Sequence, residues 1–175
     1  MNPSLQSLQR ELLTVVSDLN RDETQWRPAK RPSAWSVQQI VEHLLLTYSS
    51  TEATLEARLA KATPTRKPPT LMQRTAQLFV IRFGYFPSGI QAPEPVRPEL
   101  SDAARCGAEL CAEISLALES LDELTQRCTQ VLGTGRAVTH FVLGPLDMHQ
   151  WTKFHLVHGR HHIKQIRAIR REHRG

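Results

Sequence analysis

The chain has 175 residues, 40% of them apolar and 22% charged, with a net charge of +5, which suits one globular domain, 1–175, with a buried core. No stretch nears the roughly 18 uninterrupted apolar residues of a membrane span, and the start, MNPSLQSLQRE, lacks the basic-then-apolar pattern of a signal peptide; a cytoplasmic location and no membrane partner are expected. Three cysteines without CxxC spacing exclude a disulfide framework and a thiolate zinc site, so all three are read as small apolar side chains.

Helical periodicity dominates from the start. Leu5, Leu8, Leu12, Val15, Val16 and Leu19 recur at spacings of three and four, which predicts an amphipathic helix from Pro3 to Asn20. Pro3 suits its first turn. Residues 21–34 contain Pro28 and Pro32 and read as a loop. Ser36, with Gln39 three residues on, forms a capping box ahead of a long second helix, SVQQIVEHLLLTYSSTEATLEARLAKA. Seven of the eleven prolines fall between Thr63 and Leu100. That density forbids a continuous helix, so this stretch is a crossover or lid with one short helix, Leu71 to Tyr85. Ser101 is expected to open a third long helix whose apolar stripe is Ala103, Leu110, Ile114, Ala117, Leu118 and Leu121. An irregular link with Gly133, Gly135, Gly144 and Pro145 follows, with THFVL its one weak strand candidate. Asp147, with Gln150 three residues on, caps the last helix, which runs to His173. Four long amphipathic helices with uneven links describe an all-α four-helix bundle with a short extra helix in the crossover between helices 2 and 3.

The last helix carries the informative pattern, WTKFHLVHGRHHIKQIRAIRREH. At about 100° per residue, His162 falls about 40° from His158, His155 about 60°, Trp151 and Ile169 about 20°, and Gln165 about −20°. Arg160, Lys164, Arg167 and Arg171 gather on the opposite side as a basic, solvated face. From Trp151 to Gly175, seven Lys and Arg stand against Glu172 alone, leaving the remainder of the chain near neutral. A histidine turned into a core is costly unless its nitrogens find partners. Two histidines four apart bring their rings to one point beside a helix, and a pair holds a metal weakly, so a third ligand from another helix is expected. His43 is the only histidine on the other three long helices. Three neutral imidazoles with an open position describe a catalytic-type site for one divalent ion, zinc, nickel or iron. His155 and His161 are surface residues or outer partners of such a site. His140 and His149 read as solvated loop histidines, and His173 as a frayed end.

The segments WSVQQIVEHLLLTY at Trp35–Tyr48 and WTKFHLVHGRHHIKQI at Trp151–Ile166, with the lead-in GPLDMHQW, resemble the DinB-like superfamily of four-helix metalloenzymes. The resemblance spans most of the chain. It implies an up-down-down-up bundle, a divalent metal held by His43, His158 and His162, and frequently a homodimer. Gln165 matches a glutamine three residues after the last metal histidine. Many relatives have His-Arg-Gly-Gln where this chain has His162-Ile163-Lys164-Gln165, so a glycine is missing.

Two functional readings follow. In the first, the chain is a metal-dependent hydrolase or a low-molecular-weight-thiol S-transferase acting on a small molecule; water or a thiolate takes the open position and loses its proton more easily there. Gln165 then orients a ligand or bound water, or else makes a helix–helix hydrogen bond. No general base stands out, since Glu42 points about 100° away from His43. In the second, the Arg160–Arg174 face binds nucleic acid or an acidic partner. The absence of interleaved exposed aromatics and of a helix-turn-helix argues against nucleic acid.

Overall fold

The computed structural model describes residues 1–28, 34–65, 67–87, 89, 91–99 and 103–174. Four long helices carry the molecule: α1 (Pro3–Val16), α3 (Val37–Leu59), α5 (Gly107–Leu132) and α6 (Met148–Arg174). A short helix, α2 (Arg21–Gln25), follows α1 where a loop is expected from the prolines. It forms because Asn20 and Glu23 close a capping box around its first turn. The crossover contains α4 (Leu71–Gln77), which continues into a wide π turn, Leu78–Arg82. A hairpin of β1 (Val138–His140) and β2 (Gly144–Leu146) precedes α6. It pairs Val138 with Leu146 and His140 with Gly144, so THFVL supplies most of β1 and the turn.

Helix directions follow from side-chain neighbours. Gly159 lies against Leu8, and Arg170 bonds Asp18 and the Val15 carbonyl; α1 and α6 are therefore parallel. Gln38 and Glu42 meet Arg105, while Glu52 and Glu56 share a groove with Ser120 and Arg127; α3 and α5 are parallel too. Asn2 reaches Asp122, and Val16 touches Gly107, so α1 and α5 are antiparallel. The result is the up-down-down-up order, with the Leu71–Val96 region crossing between the two parallel helices.

Local signals set most helix ends. Ser36 with Gln39, and Asp147 with Gln150, exchange the backbone and side-chain bonds of capping boxes as expected. The third long helix starts later than expected, at Gly107; Ser101 lies outside the described residues. Tertiary packing decides this start. A Cβ on Gly107 would sit 2.0 Å from the Val16 carbonyl oxygen, and the Gly107 N–H bonds the Leu19 carbonyl at 2.8 Å. Only glycine lets α5 begin this close to the end of α1.

The core is one layer of aliphatic side chains between the four helices. Leu5, Leu8 and Leu12 of α1, Ile40 and Leu44 of α3, Ile114, Leu118 and Leu121 of α5 and Ile163 and Ile166 of α6 are fully buried or nearly so. Each contributes on the order of 1.5–3 kcal/mol of burial free energy. The basic side of α6 is less free than the sequence suggests: Arg160 pairs with Glu11 and Arg170 with Asp18, both on or next to α1. Among the described residues no helix is long and apolar enough to cross a membrane.

Candidate metal centre

Where α3 and α6 cross, the aliphatic core gives way to histidine. His43 on α3 faces His158 and His162 on α6, and all three are buried, at 4%, 5% and 5% exposure. His43 Nε2 lies 3.2 Å from His158 Nε2, and His162 Nε2 lies 3.1 Å from the same atom. Three ring nitrogens thus converge on one point, within 4.8 Å of one another.

The outer nitrogens decide what the inner ones can do. His43 Nδ1 is 2.7 Å from the Val96 carbonyl oxygen. A carbonyl only accepts, so His43 carries its proton on Nδ1 and leaves Nε2 a bare lone pair. His162 Nδ1 is 2.8 Å from Gln165 Oε1, with the same consequence. The Gln165 amide NH₂ donates at 3.1 Å to His161 Nε2, which fixes its orientation. Among the described residues Gln165 therefore makes its bonds within α6, and not across helices. Burial, above all, lowers the His43 pKa and drives that of His162 down to about 3. His158 is held well below the ordinary value by burial and by its two histidine neighbours. Neutral imidazoles with aligned lone pairs are the protonation state a metal requires.

Metal–nitrogen bonds of about 2.0–2.1 Å at tetrahedral angles put neighbouring nitrogens about 3.4 Å apart. The two separations to His158, 3.2 and 3.1 Å, lie within a few tenths of an ångström of that value, while the widest separation, 4.8 Å, must close as the rings turn onto an ion. No carboxylate bonds any of the three rings among the described residues. Glu42, next to His43, is turned away and paired with Arg105. With three neutral ligands, a dication held here would keep its full charge and would favour an anionic fourth ligand.

The crossover supplies the walls. From the π turn the chain passes through Gly84, with φ of 66°, to Phe86. The Phe86 ring lies 4.9 Å from His158 and 5.2 Å from His161. A single 3₁₀ turn, Glu94–Val96, then presents the Val96 carbonyl to His43. Trp35, just before the α3 cap, closes the other side at 5.0 Å from His43 and 6.4 Å from His162. Phe86 and the Val96 carbonyl escape a sequence reading: any residue type offers a carbonyl, and nothing in the spacing marks Phe86. Trp35 carries a signal, as a large aromatic one residue before an N-cap.

Three other histidines are placed differently from expectation, or more sharply. His140 is not a solvated loop residue. It is 6% exposed, packed by Phe154, Trp151 and Phe141, and its Nδ1 accepts from the Val142 and Leu143 N–H groups at 3.1 Å each. It closes the hairpin turn, and burial pushes its pKa down to about 4. His155 is buried at 1% exposure, against Tyr48 and Trp151. His161 is half-buried at the rim, between Phe86 and Gln165. His149 is exposed, as expected. The missing glycine also finds its explanation. Lys164 is exposed, with no packing to demand a glycine, while close packing on α6 falls at Gly159, where a Cβ would meet Leu8 at 2.3 Å.

No curated protein and no solved structure matches this chain. A family does match: residues 4–166 fit the sequence model of the DinB superfamily, and the chain belongs to that superfamily.

Proposed function

We propose that the chain, as a single domain over 1–175, binds one divalent metal ion through His43, His158 and His162. On this reading it acts on a small molecule as a metal-dependent hydrolase or a low-molecular-weight-thiol S-transferase. The observation that carries the reading is the pair of outer hydrogen bonds, from His43 to the Val96 carbonyl and from His162 to Gln165, which turn two bare lone pairs onto the same point. The ion, zinc, nickel or iron, supplies a Lewis acid that lowers the pKa of a water or thiol at its open position. Trp35 and Phe86 exclude bulk water on two sides and favour a substrate with an apolar body. That no carboxylate among the described residues lies beside the rings fits a reaction in which the ion itself, and not a protein base, makes the attacking group lose its proton. Three unpaired cysteines suit the reducing cytoplasm.

The test is turnover of the protein stripped with chelator and reloaded with each ion in turn. Ester hydrolysis, and transfer of a small thiol to an electrophile, are followed in parallel. Metal-restored turnover in either assay, lost in His43→Ala, supports the reading; turnover indifferent to chelator opposes it.

A homodimer is the expected assembly. Leu71, Met72, Phe79, Phe83 and Tyr85 of the crossover, and Phe141 and Val142 of the hairpin turn, are exposed apolar side chains on adjoining elements, and a second copy would cover them. Between residues 57 and 93 there are six Lys and Arg and no acid. Symmetric pairing of this face therefore strengthens with salt, which sedimentation at low and high ionic strength reads directly. Binding of nucleic acid or an acidic partner through the Arg160–Arg174 face is the weaker reading, because Arg160 and Arg170 are already paired with acids at α1.

A further inference from the structure

A metal-binding imidazole turns one nitrogen to the ion and must place the other N–H somewhere. His43 and His162 place theirs on protein acceptors. His158 does not: its Nδ1 is buried, and no group among the described residues reaches it. One turn earlier on α6, His155 is buried with both ring nitrogens unpartnered. Across from it on α3, the Tyr48 ring meets His155 edge-on at 5.3 Å, and its hydroxyl is fully buried and unpartnered as well. One turn further along α3, Glu52 has a buried, unpartnered Oε1 and lines a groove of about 230 Å³ between α3 and α5.

These five atoms are the whole set of buried unpartnered side-chain atoms among the described residues, and all lie on α3 and α6. Left dry, they would together cost a sum comparable to the entire stability of a domain this size. Buried polar groups that no protein atom satisfies are met by internal water, which needs two to four polar partners.

We propose that buried water lies between α3 and α6 behind His158, held by His155 and Tyr48, with Glu52 at its outer end toward the groove. This inference rests on the three-histidine metal reading. His155 and Tyr48 are then positioning residues. Through the water they receive the His158 Nδ1–H, hold the ring in the tautomer with a bare Nε2, and complete for the third ligand what Val96 and Gln165 do for the other two.

The test uses the tag-free full chain as wild type, Tyr48→Phe and His155→Leu, with Co(II) as the probe. Competition with a chromophoric chelator reads affinity, and the visible cobalt bands read ligand geometry. Each variant is expected to bind Co(II) about ten- to a hundredfold more weakly, with altered bands, while still unfolding cooperatively in urea. A second readout needs no variant: magnetisation transfer from water to the His158 Nδ1–H of the wild type is expected by NMR. Unchanged affinity and bands in both variants, or no water contact at His158, overturns the inference and leaves the metal site standing. A wild type that binds no Co(II) contradicts the metal reading instead. The inner water is then judged on the metal-free protein. There Tyr48→Phe lowers the urea midpoint if the hydroxyl is hydrated, and leaves it unchanged or raised if the hydroxyl is dry.

Discussion

Acidification of the metal-free protein should cost stability well above the pH at which carboxylates titrate. Burial lowers the pKa of His140 to about 4 and those of His155 and His162 to about 3. In the unfolded chain all three return to about 6.5. Below that value the unfolded state binds more protons than the folded one, so stability rises with pH and is lost as pH falls from about 6.5 toward 4. Each histidine contributes roughly 1.4 kcal/mol per pH unit in this window, so the three together remove about 4 kcal/mol between pH 7.5 and 5.5. His43 and His158, also lowered, add to the same loss. Paired acids act in the same sense but later. The Arg160 bond lowers the Glu11 pKa and the Arg170 bond that of Asp18, so their stabilisation is lost only below the ordinary carboxylate values. Urea unfolding in the presence of chelator measures the effect. With a slope of about 2 kcal/mol per molar, the midpoint drops by about 2 M from pH 7.5 to 5.5. His155→Leu removes about 1.4 kcal/mol of that loss. A midpoint constant across this range refutes the claim that these rings are buried and neutral.

Other perturbations follow from single contacts. Gly107→Ala places a methyl 2.0 Å from the Val16 carbonyl oxygen; the start of α5 must move off α1, with an expected loss of about 3 kcal/mol or more by thermal or urea unfolding. Gln165→Leu frees the His162 tautomer and lowers zinc affinity about ten- to a hundredfold by chelator competition, whereas Lys164→Ala, on an exposed position one residue away, leaves it unchanged.

What could be read from the chain in advance was what short-range chemistry controls. Both capping boxes, Ser36 with Gln39 and Asp147 with Gln150, form because their partners lie three residues apart. The 3.6-residue period placed His158 and His162 side by side for the same reason. His43 joined them only because the resemblance named it and no other long helix offered a histidine. Contacts distant in sequence stayed hidden. The start of α5 is decided by a glycine against the far end of α1, and the burial of His140 by Phe154 and Trp151. Three-residue strands are too short to show a period, and the Val96 carbonyl and Phe86 reach the site through a proline-rich crossover whose path no local rule predicts. His155 stood open between a surface residue and an outer partner of the site: its place on the histidine face was visible, but the pocket beside Tyr48 that buries it was not.

The central claim, that His43, His158 and His162 together hold one divalent ion, is tested most directly by elemental analysis of the full chain purified without a histidine tag. The account predicts close to one equivalent of a transition metal per chain, and its loss in His158→Ala while the variant still unfolds cooperatively. Wild-type protein without stoichiometric metal after reloading, or a His158→Ala variant that retains it, contradicts the account.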